Sequence, residues 1–110
     1  MANVFETYTS RAVGNSLTAV GSHTVQVGHT ETCIGLTVSN ISASAVTVTV
    51  TYNDASNDSH IIKNAPLPAG SSLVPIGGDQ KIVLTVGDSI KVSANTASSI
   101  DAVMSVLDQS

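Results

Sequence analysis

The feature that most constrains this chain is a strict alternation of valine and threonine in the segment VTVTVTY. In residues 46–52 the valines alternate with Thr47, Thr49 and Thr51. Because successive side chains of a β-strand point to opposite faces of a sheet, this pattern predicts a half-buried strand with its valines inward. The three outward threonines are therefore candidate contact residues.

The same two-residue period recurs at 34–38, at 82–86 and at 90–92, with turn-forming residues between the segments. Gly87-Asp88-Ser89 is expected to close a tight hairpin between the last two segments, since Gly supplies a positive φ and Asp can bond its own backbone. Gly77-Gly78-Asp79 marks the turn before them. Shorter runs complete a set of about eight or nine strands, at 5–8, 24–27, 61–64 and 72–76.

These strands predict an all-β fold, a single-domain antiparallel β-sandwich that is jelly-roll-like. Leu67 stands between Pro66, Pro68 and Gly70, so it is expected to plug one end of the core from a loop or an edge strand. The segment Ile100 to Leu107 suits a strand by its valines and a short helix by its Ala, Met and Leu. We favour the strand.

Residues 1–12 are interpreted as an N-terminal arm or first edge strand, and residues 13–110 as the sandwich domain. Phe5 and Tyr8 are two of only three aromatic residues in the chain, and they lie outside the densest alternation. An arm that reaches onto a neighbouring subunit would use them as contacts. They join the three threonines as candidate interaction residues.

Charge is scarce in this sequence. Asp, Glu, Lys and Arg make up 11% of the chain, less than half of the roughly 25% found in soluble domains. A subunit whose faces are covered by neighbours can dispense with surface charge, so the composition favours a homo-oligomer within a larger assembly. A net charge of −4 with only four cationic residues argues against nucleic-acid binding.

The single cysteine, Cys33, cannot form an intrachain disulfide, which favours synthesis in a reducing cytoplasm. The first residues, MANVFETYTSRAV, lack the apolar core of a signal peptide, and no stretch approaches the roughly 20 apolar residues of a membrane span. We therefore expect a protein without membrane contact.

Two segments imitate metal sites. His23, His29, Glu31 and Cys33 would share one strand face only if no turn intervened, and Gly28 predicts a turn. Exposed polar histidines and a small buried thiol are the favoured interpretation.

The second imitation is Asp54-x-Ser56-x-Asp58, which begins like a calcium loop. Ser59 stands at the sixth position, where Gly is required, and Ala65 at the twelfth, where Glu is required. A solvated turn is the favoured interpretation, and we predict no metal here.

Motifs for catalysis are missing from the sequence. No Gly-x-Ser-x-Gly elbow is present, and the segment 77–81, GGDQK, lacks the spacing of a phosphate-binding loop. We predict that the chain is not an enzyme and uses no cofactor.

The chain resembles small virion structural proteins of tailed bacteriophages, many of them marine or cyanobacterial. The resemblance is carried by residues 63–107, in the elements NAP-P-GSSL, GGDQK and GDSI-V, and it extends to the aromatic-containing residues 4–13, the segment 34–40 and the Val-Thr strand. The matching residues are turn formers: Pro66, Pro68, Gly70, Gly77, Gly78, Asp79, Gly87 and Asp88.

This resemblance implies a component of the virion, synthesised in the host cytoplasm, with the major capsid protein or neck and tail proteins as partners. Capsid decoration (a cement protein) is the leading expectation, with a neck, tail or baseplate accessory subunit as the alternative. A further alternative is a host-receptor or carbohydrate-binding module, although three aromatic residues offer few faces for sugar rings.

Overall fold

The computed structural model describes residues 3–110, which form nine β-strands in the described part of the chain. A short 3-10 turn, Val20–Ser22, follows the second strand. The strands are β1 (Asn3–Val13), β2 (Thr18–Ala19), β3 (Thr30–Asn40), β4 (Val46–Asn53), β5 (Asp58–Leu67), β6 (Ser72–Ile76), β7 (Ile82–Leu84), β8 (Ser89–Ala94) and β9 (Ile100–Gln109).

The strands form two antiparallel sheets packed face to face. Sheet A has the order β1-β9-β3-β6, with β7 beside β6 along the same edge of β3, and sheet B has the order β2-β8-β4-β5. The chain passes from one sheet to the other at most connections, with β6 and β7 together filling one position. This arrangement of two four-strand layers is a jelly roll. The predicted all-β sandwich is confirmed.

The core lies between the sheets and is built from the inward residue of each alternating pair. In β4 these are Val46, Val48 and Val50, all buried. In β9 the inward positions run from Ile100 to Val106 by twos, with outward residues half-buried or exposed between them. The two-residue period of the sequence therefore decides which side chains are removed from water.

The segment VTVTVTY occupies the middle of a sheet. β4 is paired with β8 on one side and with β5 on the other, so its backbone groups are satisfied within one chain. A bare edge of this composition would favour aggregation. Its central position removes that hazard without any neighbouring subunit.

Two local predictions are wrong. Gly87 and Asp88 do form a turn, with the Asp88 N–H donating to the Thr85 carbonyl over 2.9 Å, but β7 before it pairs with β3 in sheet A and β8 after it belongs to sheet B. The turn is a crossing between sheets and no hairpin. Residues 24–27 form no strand, because Val25 is tied to the crossing turn by hydrogen bonds with Gly87 and Asp88.

Two other predictions are confirmed. Leu67 ends the edge strand β5 and is buried at one end of the core. The ambiguous C-terminal segment is a strand, β9, which lies between β1 and β3 and pairs with both. Burial on one face and two neighbouring strands outweigh the helix propensity of its Ala, Met and Leu.

Candidate assembly surfaces

The outer face of sheet A carries a row of apolar side chains across its strands. Phe5 of β1 lies opposite Leu107 of β9, which lies opposite Thr32 of β3, which in turn lies opposite Val83 of β7. Phe5 is 74% exposed and Val83 is 59% exposed. Val103 of β9 adds a further exposed apolar side chain on this face.

The same face is free of charge over most of its described area. Its outward side chains are threonine, serine, glycine, asparagine, glutamine and apolar residues. This holds for residues 3–9 of β1, 103–109 of β9 and 30–37 of β3. Arg11 and Asp101 mark one end of this area. Contact with another protein would therefore bury hydroxyl and amide groups but few charged groups, so the free-energy cost of desolvation would be small.

The outer face of sheet B is where the predicted threonines lie. Thr47 and Thr49 are half-buried, and Thr49 Oγ1 accepts a hydrogen bond from the Asn64 N–H over 3.2 Å. Thr51 is fully buried and donates to the Asp58 carboxylate over 3.1 Å. Thr51 is therefore not an accessible contact residue, and the hydroxyls of Thr49 and Thr51 bind strand β5 of their own chain.

Charge distinguishes the two outer faces. Thr51 is flanked across the strands by Lys91 of β8 and His60 of β5. The Asp58 carboxyl has its pKa lowered, chiefly by the hydrogen bond from Asn53 and also by the one from Thr51. Sheet B thus presents charged and titratable groups where sheet A presents neutral ones.

Phe5 and Tyr8 do not act together. They stand on opposite faces of β1, because their separation of three residues is odd. Phe5 projects from the outer face, whereas the Tyr8 ring stacks on the His23 ring with centroids 3.8 Å apart and an interplanar angle of 11°. Only Phe5 is available to another subunit.

A histidine–carboxylate cluster closes one end of the sandwich beside Tyr8. The carboxylate of Glu31 is 1% exposed, and both of its oxygens lie within 2.9 Å of His23 Nε2. The turn that carries His23 approaches β1 closely at Gly21, where an added Cβ would lie 2.8 Å from the Tyr8 Cβ. The Gly21 backbone, at φ 65°, therefore permits the stack that supports the buried pair.

Two more carboxylates adjoin Glu31 in the same cluster. Oxygens of Glu6, Glu31 and Asp108 lie within 4.8 Å of one another, a spacing that a metal ion can bridge. His29 Nδ1 lies 2.8 Å from Asp108 Oδ1, and this hydrogen bond is the main cause that lowers the Asp108 pKa. Two imidazoles thus already bind two of the three carboxylates.

Burial and the neighbouring carboxylates also act on Tyr8. They raise the Tyr8 pKa to about 12, with desolvation as the largest cause and Glu31 and Glu6 after it. Its hydroxyl donates to Glu6 over 3.2 Å. The neutral phenol is therefore the form that the cluster favours.

The sequence could not have identified the His23–Glu31 pair. The turn at Gly28 was predicted correctly, with φ 83° and a hydrogen bond from the His29 N–H to the Gln26 carbonyl. Because of that turn, His23 lies outside strand β3, which carries Glu31. The loop between them folds so that the two side chains are in contact. The one local signal was Glu31 itself, which occupies the first inward position of β3, before the buried Cys33.

The prediction of exposed histidines is wrong, because His23 and His29 are half-buried and paired with carboxylates. Asp54 and Cys33 behave as the sequence predicted. The Asp54 carboxylate accepts hydrogen bonds from the N–H groups of Ser56 and Asn57, as in a solvated turn. The Cys33 thiol is fully buried, and this burial raises its pKa to about 11. Both residues have structural roles.

No protein-family model and no curated protein matches this chain. Among solved structures it is similar to a chain from Bacillus endospore appendages, which are described as a novel family of disulfide-linked pili. The TM-score is 0.51 at 11% sequence identity, and the likeness covers 99% of this chain and 85% of that one. At this identity the likeness supports the fold alone.

None of the described helical segments has the length and apolar character needed to cross a bilayer.

Proposed function

We propose that the chain is a non-enzymatic structural subunit of a tailed-phage virion, and that it decorates the capsid as a cement protein. The observation that carries the proposal is the neutral outer face of sheet A, with Phe5, Leu107 and Val83 in one row. Exposed apolar residues on an uncharged surface favour contact with another protein. The sequence resemblance to virion proteins supplies the kind of partner.

The size of this face suits a repetitive assembly. With strands about 4.8 Å apart and about 3.4 Å per residue, four strands over seven residues present roughly 450 Å². A standard interface buries about 800 Å² on each partner. One such contact is weak, whereas many copies on a shell, each also touching its neighbours, gain avidity.

The fold is compatible with a capsid-decoration role but does not distinguish it from other roles. Jelly rolls serve as viral capsid domains and also as lectin domains. The similar fold in endospore appendages belongs to disulfide-linked pili. Cys33 is the only cysteine of this chain and is fully buried, so the same covalent linkage is not expected here.

Immunogold labelling of purified phage particles tests the proposal. Label over the whole shell is expected for a decoration protein. Label at a single vertex would move the chain to the neck or tail, and absence from purified particles would refute a virion role. A glycan array with the purified protein tests the host-recognition alternative, since saccharide binding would replace the structural role.

A matched pair of variants tests which surface binds the particle. Val83→Lys places a charge in the apolar row and is expected to weaken binding to shells stripped of this subunit by at least tenfold. Val27→Lys adds the same charge at a valine that is 87% exposed in a turn outside the strands of this face, and it is expected to bind normally. Equal binding by both variants would exclude the outer face of sheet A.

A further inference from the structure

At one end of the sandwich, the inward face of sheet A carries acidic side chains beside the apolar core. Glu6 of β1, Asp108 of β9 and Glu31 of β3 stand on three neighbouring strands, with carboxylate oxygens within 4.8 Å of one another. Glu31 and Asp108 are directly opposite each other in the pairing of β3 with β9. Like charges at opposed positions destabilise a sheet, and Glu31 is also buried. This end of the sheet therefore needs positive charge from elsewhere in the chain.

The segment of residues 20–29, called the histidine loop below, lies over these carboxylates and supplies two imidazoles. His23 Nε2 lies within 2.9 Å of both Glu31 oxygens, and His29 Nδ1 lies 2.8 Å from Asp108 Oδ1. The third carboxylate accepts a hydrogen bond from a tyrosine hydroxyl, which is a neutral donor. The cluster of three carboxylates and two imidazoles thus carries a net charge of −1 when both histidines are protonated and −3 when both are neutral.

The two histidines are main anchors of the histidine loop. Among residues 21–29, Val25 is buried, His23 and His29 are half-buried, and the other residues are exposed. The His23 ring also stacks on the Tyr8 ring of β1. Because a hydrogen bond between two charged groups is stronger than one from a neutral donor, loss of the imidazolium protons weakens two of the three side-chain contacts that hold this loop.

The other titratable groups around the cluster keep their charge state near neutral pH. Burial raises the pKa of the Tyr8 phenol to about 12 and that of the Cys33 thiol to about 11, so both stay neutral. The hydrogen bond from its imidazole partner holds the Asp108 pKa below its usual value. Lys91 of β8 projects from the outer face of sheet B, and the Asp88 carboxylate before β8 is bonded to the crossing turn and to sheet B. Histidine is the side chain whose charge ordinarily changes between about pH 5 and 8.

We propose that the histidine–carboxylate cluster is a pH-sensitive switch, which holds the histidine loop on the end of sheet A while its histidines are protonated and releases the loop as rising pH removes these protons. Deprotonation leaves three carboxylates within 4.8 Å of one another without an imidazolium, and opening of the loop lets water solvate them. Toward acid pH the closed form persists until Asp108 is protonated, below about pH 3.9, because the pKa of this carboxyl is lowered.

Native-state hydrogen exchange of the wild-type protein measures this release. The Val25 N–H reports on the histidine loop, because it donates to the Asp88 carbonyl over 3.1 Å. The Asn40 N–H is the control, because it donates to the Ser71 carbonyl over 2.9 Å at the other end of β3.

The size of the effect follows from proton linkage. Release of one proton on opening changes the opening equilibrium constant by up to about tenfold per pH unit. Between about pH 6 and pH 8, and after correction for base-catalysed exchange, we expect opening at Val25 to increase at least about tenfold and opening at Asn40 to stay constant within about twofold.

A matched pair of histidine variants assigns the response to the cluster. His29→Gln keeps a side chain that can donate to Asp108 but carries no charge, so we expect more opening already at about pH 6 and a reduction of the tenfold change to about threefold. His60→Gln is the control, because His60 is exposed on β5 of the other sheet, and it is expected to keep the full response. Far-UV circular dichroism checks that each variant is folded.

Glu6→Gln separates charge from simple contact. It keeps both histidine–carboxylate pairs and an acceptor for the Tyr8 hydroxyl, but it removes one negative charge from the cluster. We expect unchanged opening at about pH 6 and at least about threefold less opening at about pH 8. This variant also decides the question if His29→Gln does not fold.

Four results would overturn the proposal. These are opening at Val25 that does not increase with pH in the wild type, a full pH response in folded His29→Gln, and more opening at high pH in Glu6→Gln than in the wild type. The fourth is loss of the pH response in protein dialysed against EDTA, which would show that a divalent cation, and not the imidazolium protons, holds the histidine loop.

Discussion

Replacement of Asp88 by alanine tests how the chain crosses from sheet A to sheet B. The side chain is 4% exposed, and its Oδ2 accepts hydrogen bonds from the Tyr52 hydroxyl at 2.5 Å, the Thr85 N–H at 2.9 Å and the Thr85 hydroxyl at 3.1 Å. The carboxylate therefore ties the crossing turn to a central strand of sheet B.

The expected loss follows from these contacts. A hydrogen bond to a charged group contributes about 1.5–3 kcal/mol, and bonds that share one oxygen are not additive. We expect Asp88→Ala to lower the free energy of unfolding by about 4 kcal/mol, a large part of the total of about 5–15 kcal/mol for a domain. The melting temperature is expected to fall by roughly 15 °C.

Urea and thermal unfolding followed by circular dichroism measure this effect. Asp54→Ala is the matched control, because the Asp54 carboxylate accepts two hydrogen bonds from backbone N–H groups but lies in an exposed turn, and it is expected to lose less than about 1 kcal/mol. Tyr52→Phe removes one of the bonds and is expected to lose about 2 kcal/mol. A loss below about 1 kcal/mol for Asp88→Ala would refute the reasoning.

The same carboxylate predicts a pH effect. Burial raises the Asp88 pKa, but the hydrogen bonds from Tyr52 and Thr85 together outweigh burial and hold it below its usual value. A lowered pKa in the folded state stabilises the protein above the unfolded value of about 3.9, and this contribution is lost as the pH falls below it. Asp88→Asn is expected to be less stable at neutral pH and to lose less further stability on acidification. An acid transition as steep as that of the wild type would contradict this assignment.

Three further predictions use other buried groups. Absorbance at 295 nm should show no tyrosinate below about pH 11, because desolvation at Tyr8 and the Asp88 hydrogen bond at Tyr52 each raise the pKa to about 12; a folded-state transition near pH 10 would contradict this. Cys33 should react with a thiol reagent at pH 8 only after unfolding, and rapid labelling of the native protein would be inconsistent with its burial. His23→Ala should cost about 3 kcal/mol in urea unfolding, because it leaves the Glu31 carboxylate buried without its imidazole partner; a loss below about 1 kcal/mol would show that Glu31 is satisfied in another way.

The candidate surfaces were only partly predictable. Phe5 was singled out as an aromatic residue outside the dense alternation, and it does project from an outer face. Tyr8 was singled out on the same ground but stacks on His23 instead. Composition identifies rare residues, whereas the face of the strand decides which of them another protein can reach.

The alternation by itself determined that the chain is an all-β sandwich and, in most of the alternating pairs, which residue is buried, since the period of two is a local property of extended backbone. Thr51 is an exception, because it was predicted to point outward and is fully buried. Which strands become neighbours was decided only by the tertiary structure. The turn at Gly87 and Asp88 was predicted, yet it crosses between sheets because β7 pairs with β3 and β8 with β4. His23 and Glu31, likewise, meet through a loop. Strand pairing and side-chain contact depend on competition among all strands for the same partners. The outcome of this competition cannot be predicted from any short segment of the sequence.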